Sequence, residues 1–252
     1  MKLRNRIAAV SAGVASAALL ALSGQASAAF PDYAGCPSGV FYCIDIQSTS
    51  GSMDIKGFGV PLGDSLRIRG GLGQNTAGEI VFSPARGTNG FIAKPVQVPG
   101  GILGIDFWLP GNSVTATAQL AGSPSDIRLN PFTLDMSVPL KLALTNPIIG
   151  PGCQIGSNRS PVWVNLITGT TAPPAPNRPI SGHLGRLSTP TPTSVILSDN
   201  LNVDNSFAIP GASGCGIGLG LINGAINLKL KLPSAAGNNA LIVGNNVALA
   251  QP

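Results

Sequence analysis

Charge and aromatic rings are scarce in this 252-residue chain: 10% of residues are charged and 5% are aromatic. With so little charge, and apolar residues recurring at regular period, the chain does not have the make-up of a disordered coil. Nor does it offer the clustered Lys and Arg of a nucleic-acid surface; Arg67 with Arg69, then Lys229 with Lys231, are its densest cationic pairs. Histidine occurs once, at His183, so any Ser-His-Asp or Cys-His mechanism has to use that residue. There is no G-x-S-x-G elbow and no S-x-x-K pair, which removes two serine-nucleophile signatures. The four cysteines include no Cys-x-x-Cys pair, and with a single histidine they do not have the spacing of a zinc site. The sequence calls for no metal and no cofactor.

What is present begins at the N-terminus. Lys2, Arg4 and Arg6 precede a run of 16 apolar and small residues from Ile7 to Leu22, followed by Ala26-Ser27-Ala28. This order of charge, apolar run and small-x-small site reads as a secretory signal at 1–28, with the mature chain starting near Ala29. The run is short of the 18 or more residues of a spanning helix, so no membrane span is expected after cleavage. Of the 15 Lys and Arg, three leave with the signal, and the remaining 12 against 10 Asp and Glu give +2. Residues 29–252 are long enough to bury one substantial β domain.

In an oxidising compartment, Cys36, Cys43, Cys153 and Cys215 read as two disulfides with three pairings open. The favoured pairing is Cys36–Cys43, around the short PSGVFY segment, with Cys153–Cys215 closing a long loop. Chain-entropy estimates give about 2.5 and about 4.3 kcal/mol for these closures as upper figures.

Period-two alternation dominates. Phe132, Leu134, Met136, Val138, Leu140, Leu142 and Leu144 alternate with mostly polar residues, as in a half-buried antiparallel strand. Pro139 inside the run predicts an edge strand or a break, and the phase flip at Asn130-Pro131 predicts a bulge or corner. Ile226, Leu228, Leu230 and Leu232 predict a second strand, with Asn227, Lys229 and Lys231 outward. Shorter strand candidates at 53–58, 64–69, 79–83, 91–98, 102–109, 113–120, 162–168, 194–198, 201–209 and 241–248 are mostly bounded by turn residues. No dozen-residue window after the signal has a convincing helical period. The fold class expected is therefore all-β, an antiparallel sandwich or barrel-like structure held by disulfides. The Pro-rich TAPPAPNRP at 171–179 reads as an extended connection within one domain.

Chemistry is thin. His183 beside Arg186 offers a general base without a surrounding motif, and reads better as a surface residue. Asp106 beside Trp108, with Asp126 and Asp135, offers carboxylates for glycoside hydrolysis, but no pair stands out. Asn200, Asn202 and Asp204 echo a calcium loop, yet Asn205 and Gly211 stand where it needs Gly and an acid. A strand with a polar outer face explains them better. The run GCGIGLG at 214–220 lacks the G-x-G-x-x-G spacing and the lysine of a phosphate loop.

Three segments form a longer pattern: GCQIGSNRSPVWVNLITGTTAPPAPNRPISG (152–182), NSFAIPGASGCGIGLGLING (205–224) and NLKLKLPSAAGNNALI (227–242). This set resembles a group of actinobacterial exported proteins of unknown function. The resemblance implies a secreted or envelope-associated β protein with Cys153 and Cys215 in its two framed positions. It brings no catalytic residue. The functional expectation is a non-catalytic binding or structural protein outside the cytoplasm, with cell-wall components as the partner class. The alternatives are an extracellular hydrolase acting on polysaccharide or ester, and an outer-envelope β-barrel.

Overall fold

The computed structural model describes residues 29–101, 111–216 and 221–252. The signal read at 1–28, the strand read at 102–109 with Asp106 and Trp108, and residues 217–220 of the glycine run lie outside the described residues. A first sheet takes β1 (Tyr42–Ile55), β2 (Phe58–Pro61), β3 (Leu66–Gln74), β4 (Ile80–Pro84) and β5 (Phe91–Ala93). A second takes β6 (Val96–Gln97), β7 (Thr115–Leu120), β8 (Arg128–Leu129), β9 (Met136–Thr145), β10 (Gln154–Ile155) and β11 (Val162–Leu166). The chain returns to the first sheet with β12 (Arg186–Thr191) and β13 (Ser194–Asp204), then adds β14 (Ala212–Ser213) to the second. After the helix α1 (Leu221–Lys229) it ends in the first sheet with β15 (Asn239–Ala250).

The strand order is β12-β13-β15-β1-β3-β4 in the first sheet and β14-β10-β9-β7-β6 in the second, with antiparallel pairing between them. Both orders end in edges, so the described residues form a sandwich of open sheets and no closed barrel. One apolar cluster joins the layers: Ile44 and Ile55 of β1 and Val247 of β15 meet Val138 of β9 and Val162 and Val164 of β11. No described helix is long and apolar enough to cross a membrane.

Two bulges decide which side chains face that core. In β1 the register against β15 shifts between Ser48 and Ser50. The extra residue moves the inward phase from Ile44 and Ile46 to Met53 and Ile55. In β13 the register shifts between Leu197 and Asn200, where Asp199 has φ 61°. Asn200, Asn202 and Asp204 therefore face inward and are buried, correcting the polar outer face expected from sequence. Asn202 Nδ2 donates to the Leu134 carbonyl at 2.9 Å, and the Asn165 amide donates to Asp204 Oδ2 at 2.6 Å. These bonds tie the two sheets together, and the oxygens that a calcium reading would require are occupied: Asn200 Oδ1 accepts from the Gly185 amide, Asn202 Oδ1 from Asn245 Nδ2 and Asp204 Oδ1 from the Ser206 amide, each at 2.8 Å.

Pro139 does not mark an edge. It lies within β9, which carries β7 on one side and β11 and β10 on the other. Its carbonyl accepts from Ala121, just past the end of β7, and β8 takes over at Ser137 and Met136. The missing N–H thus falls where the partner strand changes, so no ladder bond is lost. The corner at Asn130-Pro131 forms as expected, with Asn130 Oδ1 accepting from the Phe132 amide at 2.9 Å. Phe132 is left outside the strand.

Both disulfides form: Cys36–Cys43, with Cα atoms 5.6 Å apart, and Cys153–Cys215, 4.0 Å apart. The first ties residues 29–36 to the start of β1. Arg67 and Arg69 hold the same segment. Arg67 grips the buried Asp45 of β1 through Nε at 2.8 Å and Nη2 at 2.6 Å and donates from Nη2 to the Ala29 carbonyl at 3.2 Å, and Arg69 Nη2 meets Asp32 Oδ2 at 2.9 Å. The densest cationic pair of the sequence is thereby spent internally. The Pro-rich segment is also fastened: Asn177 Nδ2 donates to the carbonyls of Asn205 (2.9 Å) and Asn239 (2.8 Å). A Cβ on Gly237 would collide with the carbonyls of Pro174 and Ala175, so glycine permits this close approach.

Candidate functional site

At one end of the sandwich the sheets separate around an apolar compartment of about 80 Å³. Met53, Ile55, Phe58, Val60 and Leu66 contribute one wall, and Val98, Leu140, Leu142 and Leu144 the other. The space exists because β7 carries small side chains inward: Ala116 and Ala118 stand opposite Leu144 and Leu142 in the strand register. The compartment runs from buried Ile149, Ile155 and Leu241 to the exposed Lys94 and half-buried Phe58. Among the described residues no Asp, Glu, His or Cys lines it. A space with so few polar partners does not hold water well and suits apolar groups.

Helix α1 covers this end. Ile226 and Lys229 reach the compartment and Ile222 packs on the core, yet none of the nine helix residues is buried. The sequence here was expected to be a strand. The helix puts Ile222 and Ile226 on its inner face, four residues apart, and leaves Leu228 83% exposed. Asn223 Oδ1 accepts from the Cys215 amide at 2.8 Å. Asn227 both accepts from the Ala212 amide (2.6 Å) and donates to the Ala212 carbonyl (3.3 Å), as a neighbouring strand would. Two asparagine side chains thus replace the ladder that alternation suggested.

The compartment has a polar rim. Ser65 is 5% exposed, and its Oγ has no hydrogen-bond partner among the described residues. The Lys94 amide donates to the Ser65 carbonyl at 2.8 Å, placing the two side by side. Lys94 Nζ meets Asp64 Oδ2 at 2.6 Å, and this hydrogen bond, then the ammonium charge, holds the Asp64 carboxyl below its usual range. Lys229 Nζ donates a long bond, 3.4 Å, to the Gly100 carbonyl.

Residues singled out from sequence lie elsewhere. His183 is exposed, bridged by its backbone to Leu201, and Arg186 pairs with Asp199 at 2.6 Å; no base-and-arginine pair forms. Asp126 closes a capping box with Ser123, and Asp135 Oδ1 accepts from the Thr168 amide at 3.0 Å. Asp135 shares a cleft of about 650 Å³ with Glu79, whose carboxylate accepts from Asn75. Glu79 serves a local turn, whereas Asp135 fastens the segment before β9 to the end of β11. A broader cleft of about 950 Å³ is lined by Phe41, Tyr42, Phe132, Pro190 and Pro192, with threonine hydroxyls and, among the described residues, no charged group. Asp204 is the one described carboxyl whose pKa burial raises, against the lowering effect of the Asn165 and Ser206 amides. No cluster of His, Cys, Asp or Glu suited to a metal occurs among the described residues.

Sequence reasoning missed Ser65, Lys94 and the two alanines. The available signal was TATAQL, a strand whose inward phase carries alanine where its partner carries leucine. Comparison with protein-family models, curated proteins and solved structures gave no match.

Proposed function

We propose that this chain is an exported, non-catalytic binding protein that receives an alkyl segment between its sheets. The observation supporting it is the aliphatic compartment beneath α1. Leaving about 80 Å³ empty costs about 2 kcal/mol at roughly 24 cal/mol per Å³ of cavity. An alkyl occupant relieves that cost and contributes about 0.8 kcal/mol per buried methylene. Export rests on the charged, apolar and Ala26-Ser27-Ala28 segments and on two disulfides, which belong to an oxidising compartment.

The test uses a neutral alkyl probe that carries an environment-sensitive fluorophore at its outer end, where the ring system stays outside the compartment. Saturable enhancement at one site is expected, lost in Ala116→Phe and weakened in the milder Ala118→Leu, with melting curves confirming that both variants fold. Fluorescence that does not saturate, or that survives both variants, contradicts the reading. N-terminal sequencing of protein from the culture medium checks export, with Ala29 as the expected first residue.

A second reading concerns the broader cleft. Exposed Phe41, Tyr42 and Phe132 around a neutral, hydroxyl-rich surface suit stacking on a cell-wall polysaccharide. Phe132→Ala would then reduce retention on insoluble wall material.

A further inference from the structure

The rim adds chemistry that an apolar compartment alone does not require. Ser65 Oγ is buried beside the void and has no partner among the described residues. A buried hydroxyl without a partner is a destabilising feature that native proteins seldom keep. Lys94 brings a cation to the same lining, and among the described residues the lining carries no acid. Asp64, a carboxylate at the rim, already sits on Lys94.

From this arrangement we infer that the occupant is a single-chain amphiphile ending in a carboxylate. Its alkyl end lies among Ala116, Leu142 and Ile226, and its carboxylate takes the Ser65 hydroxyl and the Lys94 ammonium. This deepens the proposed function and rests on it. A volume of about 80 Å³ is roughly half that of an engineered cavity that holds benzene. Only part of a chain fits beneath α1, so the polar end stays at the rim, where Ser65 and Lys94 stand. Asp64 then acts as a competitor, because an incoming carboxylate must share or replace its contact with Lys94.

The experiment compares decanoate with 1-decanol by calorimetry on the purified protein. Decanoate is expected to bind about ten-fold tighter or more, the effect of one charge-assisted hydrogen bond. Lys94→Gln and Ser65→Ala should each bring decanoate toward the affinity of the alcohol and leave the alcohol little changed. Asp64→Asn should move the other way and tighten decanoate alone. Equal affinities for acid and alcohol, or insensitivity of decanoate to all three variants, overturn this inference and leave the apolar reading standing. Binding of neither compound overturns both. Lys94 and Asp64 are exposed, so their variants test the rim without disturbing the core.

Discussion

The amide of Lys94 donates to the carbonyl of Ser65 at 2.8 Å. That single bond sets a cation and a hydroxyl without a partner among the described residues next to each other where the two sheets leave an aliphatic space. Polar chemistry and apolar volume therefore meet at a defined rim, beneath a helix that buries none of its own side chains.

The space should trade binding against stability. Ala118→Val adds volume on the inward face of β7 and a residue that suits a strand. It should raise stability by about 0.5–2 kcal/mol, as cavity filling commonly does, while weakening the alkyl probe. Chemical denaturation and probe titration on the same sample check both halves.

The outer face of the first sheet carries a buried ion pair. Asp45 is fully buried and Arg67 nearly so, so removing one partner leaves an uncompensated charge. Arg67→Ala should cost about 3–5 kcal/mol, whereas Arg67→Met with Asp45→Leu should recover most of the loss. Urea titration of the two variants distinguishes a pair that stabilises outright from one whose charges merely compensate each other.

Helix and strand make opposite demands on Leu228. As a strand, the alternating run would bury it; in α1 it is 83% exposed. Leu228→Ser should therefore change stability by no more than about 0.5 kcal/mol. Ile226→Ala, at the compartment, should cost about 1–2 kcal/mol, less than at a fully buried site.

Asp204 gives the pH dependence a sign. Burial raises its carboxyl above the ordinary value against the opposing amides of Asn165 and Ser206, so the folded state binds this proton more readily than the unfolded one. Its contribution to stability accordingly falls as pH rises from the unfolded carboxylate value through the folded one. Asp204→Asn should remove that part of the slope, and an NMR titration of the carboxyl should show a midpoint above the usual aspartate range.

These cases also show what was legible in the sequence. Met136 to Leu144 announced a strand because alternation survives intact between two corners. β13 (Ser194–Asp204) was legible only as two strands, 194–198 and 201–209, and with the wrong face outward, since one extra residue at Asp199 reverses the phase without any change in composition. The helix was hidden because Ile222, Ile226 and Leu230 satisfy a helical spacing while Ile226, Leu228 and Leu230 satisfy alternation. Only Asn223 and Asn227, bonded to Cys215 and Ala212, settle which holds. The compartment was the least legible feature. Two alanines define a void only once the leucines opposite them are known.

A crystal structure of the protein with decanoate tests the central claim most directly. The account predicts alkyl density between Ala116, Leu142 and Ile226, with the carboxylate within hydrogen-bonding distance of Ser65 Oγ. An empty space beneath α1, with decanoate ordered instead beside Phe132 in the outer cleft, would contradict it.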